Sequence, residues 1–393
     1  MARYLIPILL FLLALPATNS ASEDLDRFPE LDHAGVLFLN SPANPTISQQ
    51  AQTPFIPAST TKLVTAWLAL SHWGGSHRFT TAFYHDPNSK ILWIKGSGDP
   101  FLVSAEIKLI AENLANLGVR EVTRIGLDTR LFQPNLVMPG NGDSTNPYDA
   151  ISTPLAANFN TIYVKSQHGQ ISSAEPETPI TPFALVRGSA ISGAKERINT
   201  GKSTRAAERY FAQLLTAFLR QNKVLVRNRV FWGKAPDTAP FYVHENSKTL
   251  GEMIKPMMQY STNFIANQLV LMLSAEQADH PVNFVDVQDY MENAVQDAFA
   301  WQNITLKDGA GLSRDNRLSP QQLVELLDAF RPWQHLLPEV TKGIYAKSGT
   351  LNHVSTLAGY VVNRQQQWLP FAIMMPRSVS KQRRNQIVLD LVK

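Results

Sequence analysis

Apolar and polar positions along this chain follow two different periods, and the period changes more than once. "GVLFLN" at 35–40 is an apolar run of strand length. "STTKLVTAWLALSHW", from Ser59 to Trp73, carries apolar residues around most of its turn and reads as a buried helix, entered through Pro57 and Ala58 and closed by Gly74-Gly75. Strands and helices then interleave as far as about residue 240. "SKILWIKGSGDPFL" alternates into a Gly/Asp/Pro turn, "SAEIKLIAENLANLG" has the i, i+3, i+4 spacing of a helix, and "EVTRIGLDTRLF" alternates again. The Ser/Pro/Thr/Gly-rich stretch at 165–200 reads as exposed strands and turns, followed by a helix at about 204–221 and a strand in "KVLVRNRVFWG".

From residue 247 helical spacing returns, in "SKTLGEMIKPMMQYSTNFIANQLVLML" and again at about 284–299 and 319–330. The tail holds three alternating runs, "GIYAKSGTL", "VSTLAGYVVN" and "QWLPFAIMM", joined by short polar turns as in an antiparallel meander, then a last helix over about 378–392. The pattern predicts an α+β unit, an antiparallel sheet flanked by helices with an all-α part, split by an inserted α/β domain. We expect the split unit at 22–82 and 245–393 and the insertion at 83–244.

The 393 residues suffice for roughly two domains. A net charge of +4 is mild, and the densest basic cluster, "KQRR" at 381–384, reads as the solvated face of the terminal helix rather than a nucleic-acid surface. The N-terminus has Arg3, an apolar run from Tyr4 to Ala17 and small polar residues after it, the layout of a secretory signal peptide at 1–21. That run falls short of the ~20 residues a spanning helix needs, so we expect no stable membrane span after cleavage, and a periplasmic destination. There is no cysteine, hence neither a disulfide nor a lipid-modified thiol. The nine histidines form no H-E-x-x-H-type pattern, and no metal or cofactor is expected.

The chemistry begins with Lys62, one helical turn after Ser59 on a helix with little polar surface. A buried lysine is either paired or deprotonated, and a deprotonated one can activate a serine hydroxyl. S-x-x-K occurs three times, but Ser192/Lys195 lies in a Ser/Gly-rich strand region and Ser378/Lys381 leads into a polar run. Only Ser59 and Lys62 share one face of an apolar helix. S-x-N occurs at Ser144-Thr145-Asn146, a turn before Pro147, and at Ser261-Thr262-Asn263, a polar break between two apolar helices. Lys-[Ser/Thr]-Gly occurs once, as Lys347-Ser348-Gly349 inside a predicted strand. The order S-x-x-K, S-x-N, K-[S/T]-G is that of penicillin-binding proteins and class A β-lactamases.

Longer stretches, "PASTTKLVTAWLALSHWGGSHRFTT", "KGSGDPFL", "DGAGLSRDNRLSP" and "AKSGTLNHVSTLAGYV", resemble the penicillin-binding protein 4 type of D-Ala-D-Ala carboxypeptidase/endopeptidase. The resemblance runs from about residue 33 to the C-terminus. It departs from the family's usual pattern at Thr262, where Asp is usual, and at Ser348, where Thr is usual. It implies a serine β-lactamase/DD-peptidase-like fold acting on peptidoglycan stem peptides that end in D-Ala-D-Ala, and inhibition by β-lactams.

Under that resemblance Ser59 is the nucleophile and Lys62 its general base, with a pKa brought down by burial and by a second ammonium, Lys347. Ser261 relays the proton to the leaving amine, bridging Lys62 or Lys347, and Asn263 holds the substrate amide. Lys347, Ser348 and Thr350 suit a terminal carboxylate, Gly349 lets another backbone approach, and the N–H groups of Ser59 and Thr350 suit an oxyanion. The strand at 344–351 is expected at a sheet edge, where a peptide can pair with it. Asp99 reads as a turn former, "DGAGLS" at 308–313 as a tight loop near the cleft, and His353 as an exposed loop residue.

Two alternatives stay open at this level. A β-lactamase would need a water-activating base, and no Glu-x-x-Leu-Asn lies between the second and third motifs. A catalytically idle peptidoglycan-binding scaffold would more typically have lost a motif Ser or Lys, and all are present.

Overall fold

The structure is a computed structural model that describes residues 25, 27–39, 47–227 and 229–392; the expected signal peptide lies outside them. A six-stranded antiparallel sheet runs in the order Glu339–Thr341, Ile344–Leu351, Val354–Val362, Trp368–Met375, Gly35–Phe38 and Ile47–Gln49. The meander forms as the alternation predicts, with Lys347 opposite Ala358 and Ala358 opposite Ala372. Successive strand residues point to opposite faces, and here both faces are covered. Tyr345, Ala358, Tyr360, Ala372 and Met374 pack against the helices, chiefly Thr61–Trp73, Asn263–Ala275 and Pro320–Phe330. Ile344, Ala346, Leu357, Phe371 and Ile373 pack on the other face with Ile387, Val388 and Leu391 of the terminal helix Lys381–Leu391.

The insertion has its own core and, among the described residues, three sheets, of five, three and two strands. In the largest, Val230–Trp232, Arg124–Asp128 and Ile91–Lys95 are parallel neighbours, and Thr80–Asp86 and Tyr242–Glu245 continue it antiparallel. The helices Ser104–Asn116 and Thr204–Gln221 bury their apolar stripes in this core. The three-stranded sheet orders Gln170–Ser173, Thr161–Gln167 and Lys195–Asn199. The boundaries expected at 82/83 and 244/245 cut through Thr80–Asp86 and Tyr242–Glu245, which pair from Thr80 with Glu245 to Phe83 with Tyr242. Because a ladder of backbone hydrogen bonds belongs to one unit, we propose that the insertion runs over 80–245 rather than 83–244.

Two local expectations change. "KVLVRNRVFWG" is not one strand: Leu225–Val226 pairs with Glu121–Val122, and Val230–Trp232 with the five-stranded sheet. Within 165–200 a short helix, Pro182–Gly188, starts where the Thr181 hydroxyl accepts the Ala184 N–H at 3.1 Å and Pro182 takes the first position.

Asp99, read as a turn former, does accept the Phe101 N–H at 2.8 Å, but it is also a buried clasp. Its carboxylate accepts Asn246 Nδ2 at 2.9 and 3.1 Å, where the chain leaves the insertion, and burial pushes its pKa up to about 6. Among the described residues, no helix is long and apolar enough to cross a membrane.

Candidate active site

Ser59 sits in a single 3-10 turn, Ala58–Thr60, that leads into the helix Thr61–Trp73. Ala58 is fully buried with φ of +47°, a conformation that costs an alanine about 1–3 kcal/mol and must be enforced by its surroundings. Three contacts enforce it. The Thr60 and Thr356 hydroxyls donate to the Pro57 carbonyl at 2.7 and 2.8 Å, and the Thr61 hydroxyl to that of Ala58 at 2.9 Å. Gly311 completes the clamp: a Cβ there would lie 1.9 Å from the Ala58 carbonyl oxygen. The result is a half-exposed serine on a rigid turn.

Lys62 is fully buried. Its Nζ lies 3.1 Å from Ser59 Oγ, 2.8 Å from Asn263 Oδ1 and 2.7 Å from the Ala310 carbonyl. The last two partners can only accept. A neutral amine has two N–H donors to give them, which leaves its lone pair for the serine hydroxyl. Burial drives the Lys62 pKa well below the ordinary lysine value; the Lys347 ammonium lowers it further and the Asp308 carboxylate works against both. Among the described residues no carboxylate bonds to Lys62, so burial is not compensated by an ion pair. Lys347, also buried, donates to the Ser348 carbonyl at 2.7 Å, and burial with Arg384 nearby brings its pKa down to about 7.

Asn263 opens the helix Asn263–Ala275, so its side chain projects from the break between two helices. While Oδ1 takes the Lys62 proton donor, its Nδ2 donates to the Tyr148 carbonyl at 3.1 Å. Ser261 ends the preceding helix in the left-handed conformation, φ +57° and ψ +41°. The expected bridge from its hydroxyl to a lysine is not formed: the hydrogen bonds of Lys62 and Lys347 go to other partners.

The Lys347 strand is not the outermost one, which corrects the expected edge position. Glu339–Thr341 covers only its first residues, and the Ala346 N–H donates to the Pro338 carbonyl at 3.1 Å. Alternate residues of a strand turn their peptide groups the same way, so Ser348 and Thr350 face the same side beyond the end of that short neighbour. The half that carries Ser348, Gly349 and Thr350 is therefore an open edge beside Ser59, as a pairing peptide requires.

"DGAGLS" has a larger part than a nearby loop. The Asp308 carboxylate accepts the N–H groups of Ala310, Leu312 and Ser313 at 2.9–3.1 Å and Asn316 Nδ2 at 2.7 Å. With Asn267 Oδ1 on the Ala310 N–H at 3.1 Å, this fixes the carbonyl that Lys62 uses. Asp308, Asn267 and Ala310 were not among the expected site residues. His353 is exposed, and its N–H donates to Ser378 Oγ at 3.3 Å. The other motif copies lie apart: Ser144 hydrogen-bonds Asp149 within its turn, and Lys195 lies 4.7 Å over the Tyr163 ring.

A half-exposed serine on a clamped turn, a buried lysine without a carboxylate partner among the described residues, an Asn and a second lysine from separate elements thus come together on an antiparallel sheet with helices. The sequence profile of the D-Ala-D-Ala carboxypeptidase 3 (S13) family matches residues 19–187, 183–340 and 337–392, and the chain belongs to this family. It is 23% identical over 425 residues to the D-alanyl-D-alanine carboxypeptidase DacB of Haemophilus influenzae, covering 90% of this chain and 88% of that one. It is 25% identical over 428 residues to the D-alanyl-D-alanine carboxypeptidase of Actinomadura sp. strain R39, covering 86% and 78%. The fold is similar to the crystal structure of penicillin-binding protein 4 from Haemophilus influenzae, with a TM-score of 0.77 at 20% identity over 96% of this chain and 100% of the other. It is also similar to the Bdellovibrio bacteriovorus predatory endopeptidase Bd3459, with a TM-score of 0.56 at 16% identity over 91% and 92%.

Proposed function

We propose that this protein is a periplasmic serine DD-peptidase that cleaves the D-Ala-D-Ala end of peptidoglycan stem peptides, or the cross-links built from them, through an acyl-enzyme at Ser59. The observation that carries the reading is Lys62: buried, without a carboxylate partner, and 3.1 Å from Ser59 Oγ.

The geometry supports the following steps. Lys62 takes the hydroxyl proton as Ser59 Oγ attacks the carbonyl carbon of the penultimate D-Ala. The oxyanion is held by the N–H of Ser59, which as an early helix residue has no intrahelical carbonyl to serve, and by that of Thr350 at the open edge. The terminal carboxylate lies against Lys347, Ser348 and Thr350, and the stem peptide adds as a strand beside 348–351 with Asn263 on its amide. The proton then moves from Lys62 to the leaving amine by way of Ser261, whose hydroxyl is uncommitted to either lysine, and the C–N bond breaks. Water next attacks the ester, gives its proton to Lys62 and frees Ser59. A β-lactam presents a carboxylate and a reactive carbonyl in the same arrangement, and the ester it forms is expected to persist.

The test is intact-mass spectrometry of the signal-free protein with benzylpenicillin, beside the Ser59→Ala chain, together with D-Ala release from stem peptides. A lasting adduct that needs Ser59, with D-Ala released, is the expected result. A short-lived adduct with hydrolysed drug points to a β-lactamase; no adduct and no D-Ala point to an idle scaffold.

A further inference from the structure

A spacious cleft away from Ser59 lies largely in the insertion. A cavity of about 670 Å³ opens at the carboxyl ends of three adjacent parallel strands, Ile91–Lys95, Arg124–Asp128 and Val230–Trp232. In α/β sheets the crevice outside the carboxyl ends is where ligands bind, because the loops there leave the strands without covering them. The volume suits a molecule the size of a sugar carrying a short substituent.

The lining gives the ligand a sign. Lys95 ends the first strand, Arg130 follows the second, and Arg205 stands in the first turn of the helix Thr204–Gln221. Arg130 is taken: it forms a two-point pair with Asp128 at 2.8 and 2.9 Å. Lys95 and Arg205 form no ion pair among the described residues, and the Arg205 guanidinium lies 5.4 Å over the Trp232 ring. Two side chains could offset them. Glu208 is buried beneath the cavity, accepts Trp232 Nε1 at 2.6 Å, and is pushed up to about 7 by burial, so it is partly neutral near neutral pH. Asp279 lies on the far wall, in the loop that follows the helix Asn263–Ala275. Two cations that form no ion pair and the N-terminal end of an 18-residue helix thus face Asp279 across the opening, with the partly neutral Glu208 beneath them.

We propose that this cavity is a second binding site, for a sugar-sized ligand bearing a carboxylate or a phosphate that Lys95 and Arg205 recognise. It is separate from the Ser59 chemistry and does not rest on that reading.

The test is calorimetric titration of the Ser59→Ala chain with three probes: a muramyl dipeptide, glucose 6-phosphate and glucose. We expect saturable binding of at least one charged probe, none of glucose, and at least tenfold weaker binding in Lys95→Gln/Arg205→Gln. Both side chains are exposed, and an unchanged melting temperature without ligand checks that the variant folds. Preference for the muramyl dipeptide assigns the carboxylate source to the cell wall; preference for the sugar phosphate assigns a phosphate ligand. No saturable binding of either charged probe overturns the proposal. So does binding that is equal in the double variant, which would place it elsewhere.

Discussion

A side chain at Gly349 would place its first carbon 2.8 Å from the backbone nitrogen of Ser59. The Lys347 strand and the serine turn are thus in direct backbone contact, with no room for a methyl group. The same carbon would lie 2.2 Å from Thr356 Oγ1, the hydroxyl that holds Pro57, and 2.8 Å from the Pro57 carbonyl. All three obstacles are anchored, so Gly349→Ala must push the turn off the strand. We expect acylation by benzylpenicillin to slow about 100-fold or more, since displacements near 1 Å at a reacting group have that effect. The loss of stability should be about 1–3 kcal/mol. Stopped-flow acylation with thermal melts measures both, and a wild-type acylation rate would show that this contact does not set the geometry.

Lys62→Met separates catalysis from folding. The methionine fills similar space without a basic atom, so acylation should fall by about 10³-fold or more. Stability should change little, because two effects oppose each other. A costly buried amine is removed, but Asn263 Oδ1 and the Ala310 carbonyl lose a donor, at about 1–3 kcal/mol each. Urea unfolding beside a penicillin time course gives both quantities. A fast-acylating Lys62→Met chain would mean that another group is the base.

The pair Ser59 and Lys62 was legible because a helix brings i and i+3 together, and a lysine in an apolar helix stands out by residue type. The meander was legible because three short, largely apolar runs are joined by polar turns, the pattern of neighbouring strands in a covered sheet. What stayed hidden was carried by backbone. The Ala310 carbonyl has no side-chain signature, and Asp308, which aims it, looks in sequence like any turn aspartate. Whether the Lys347 strand is outermost depends on Glu339–Thr341, three residues too short to show a period. Ser261 is hydrogen-bonded to neither lysine, and it stands at a helix end with a left-handed φ, a backbone feature that residue type does not announce.

Lys347 gives stability a distinctive pH dependence. Its pKa is about 7 in the folded chain and near the ordinary 10.5 when unfolded. Between these values the unfolded chain binds the extra proton, so stability rises with pH at up to ~1.4 kcal/mol per unit. Below pH 7 both states are protonated and the contribution is flat, with the burial penalty fully present. Denaturation midpoints from pH 6 to 10 should therefore climb less steeply in Lys347→Met than in wild type. Parallel curves would refute the depressed pKa.

Asn246→Ala tests the clasp between the insertion and the rest. Asn246 Nδ2 is the side-chain donor to the buried Asp99 carboxylate, which keeps only the Phe101 N–H without it. An under-solvated buried carboxylate costs about 2–3 kcal/mol or regains a proton, so its pKa should rise above 6 and the melting temperature should drop by several degrees. Among the described residues, Ser59 and Lys62 share no hydrogen bond with Asp99 or Asn246, and acylation of the folded fraction should stay within about threefold of wild type. A large acylation defect in folded Asn246→Ala would show instead that the junction positions the catalytic residues.

Thr262 is the N-cap of the helix Asn263–Ala275, yet its hydroxyl makes no capping bond. Aspartate at this position has a longer reach to the free N–H groups of the first turn and a charge that suits the positive helix end, worth about 0.5–1 kcal/mol. The same charge stands one residue from Asn263, whose Oδ1 is 2.8 Å from Lys62 Nζ. A carboxylate there favours the protonated amine, so it raises the Lys62 pKa and opposes the lowering produced by burial and Lys347. Thr262→Asp should therefore melt higher while the acidic limb of its acylation profile moves to higher pH. Thermal melts and acylation rates between pH 5 and 8 check both parts. A higher melting temperature with an unmoved limb would mean that the Asp side chain turns toward the helix end and away from Lys62.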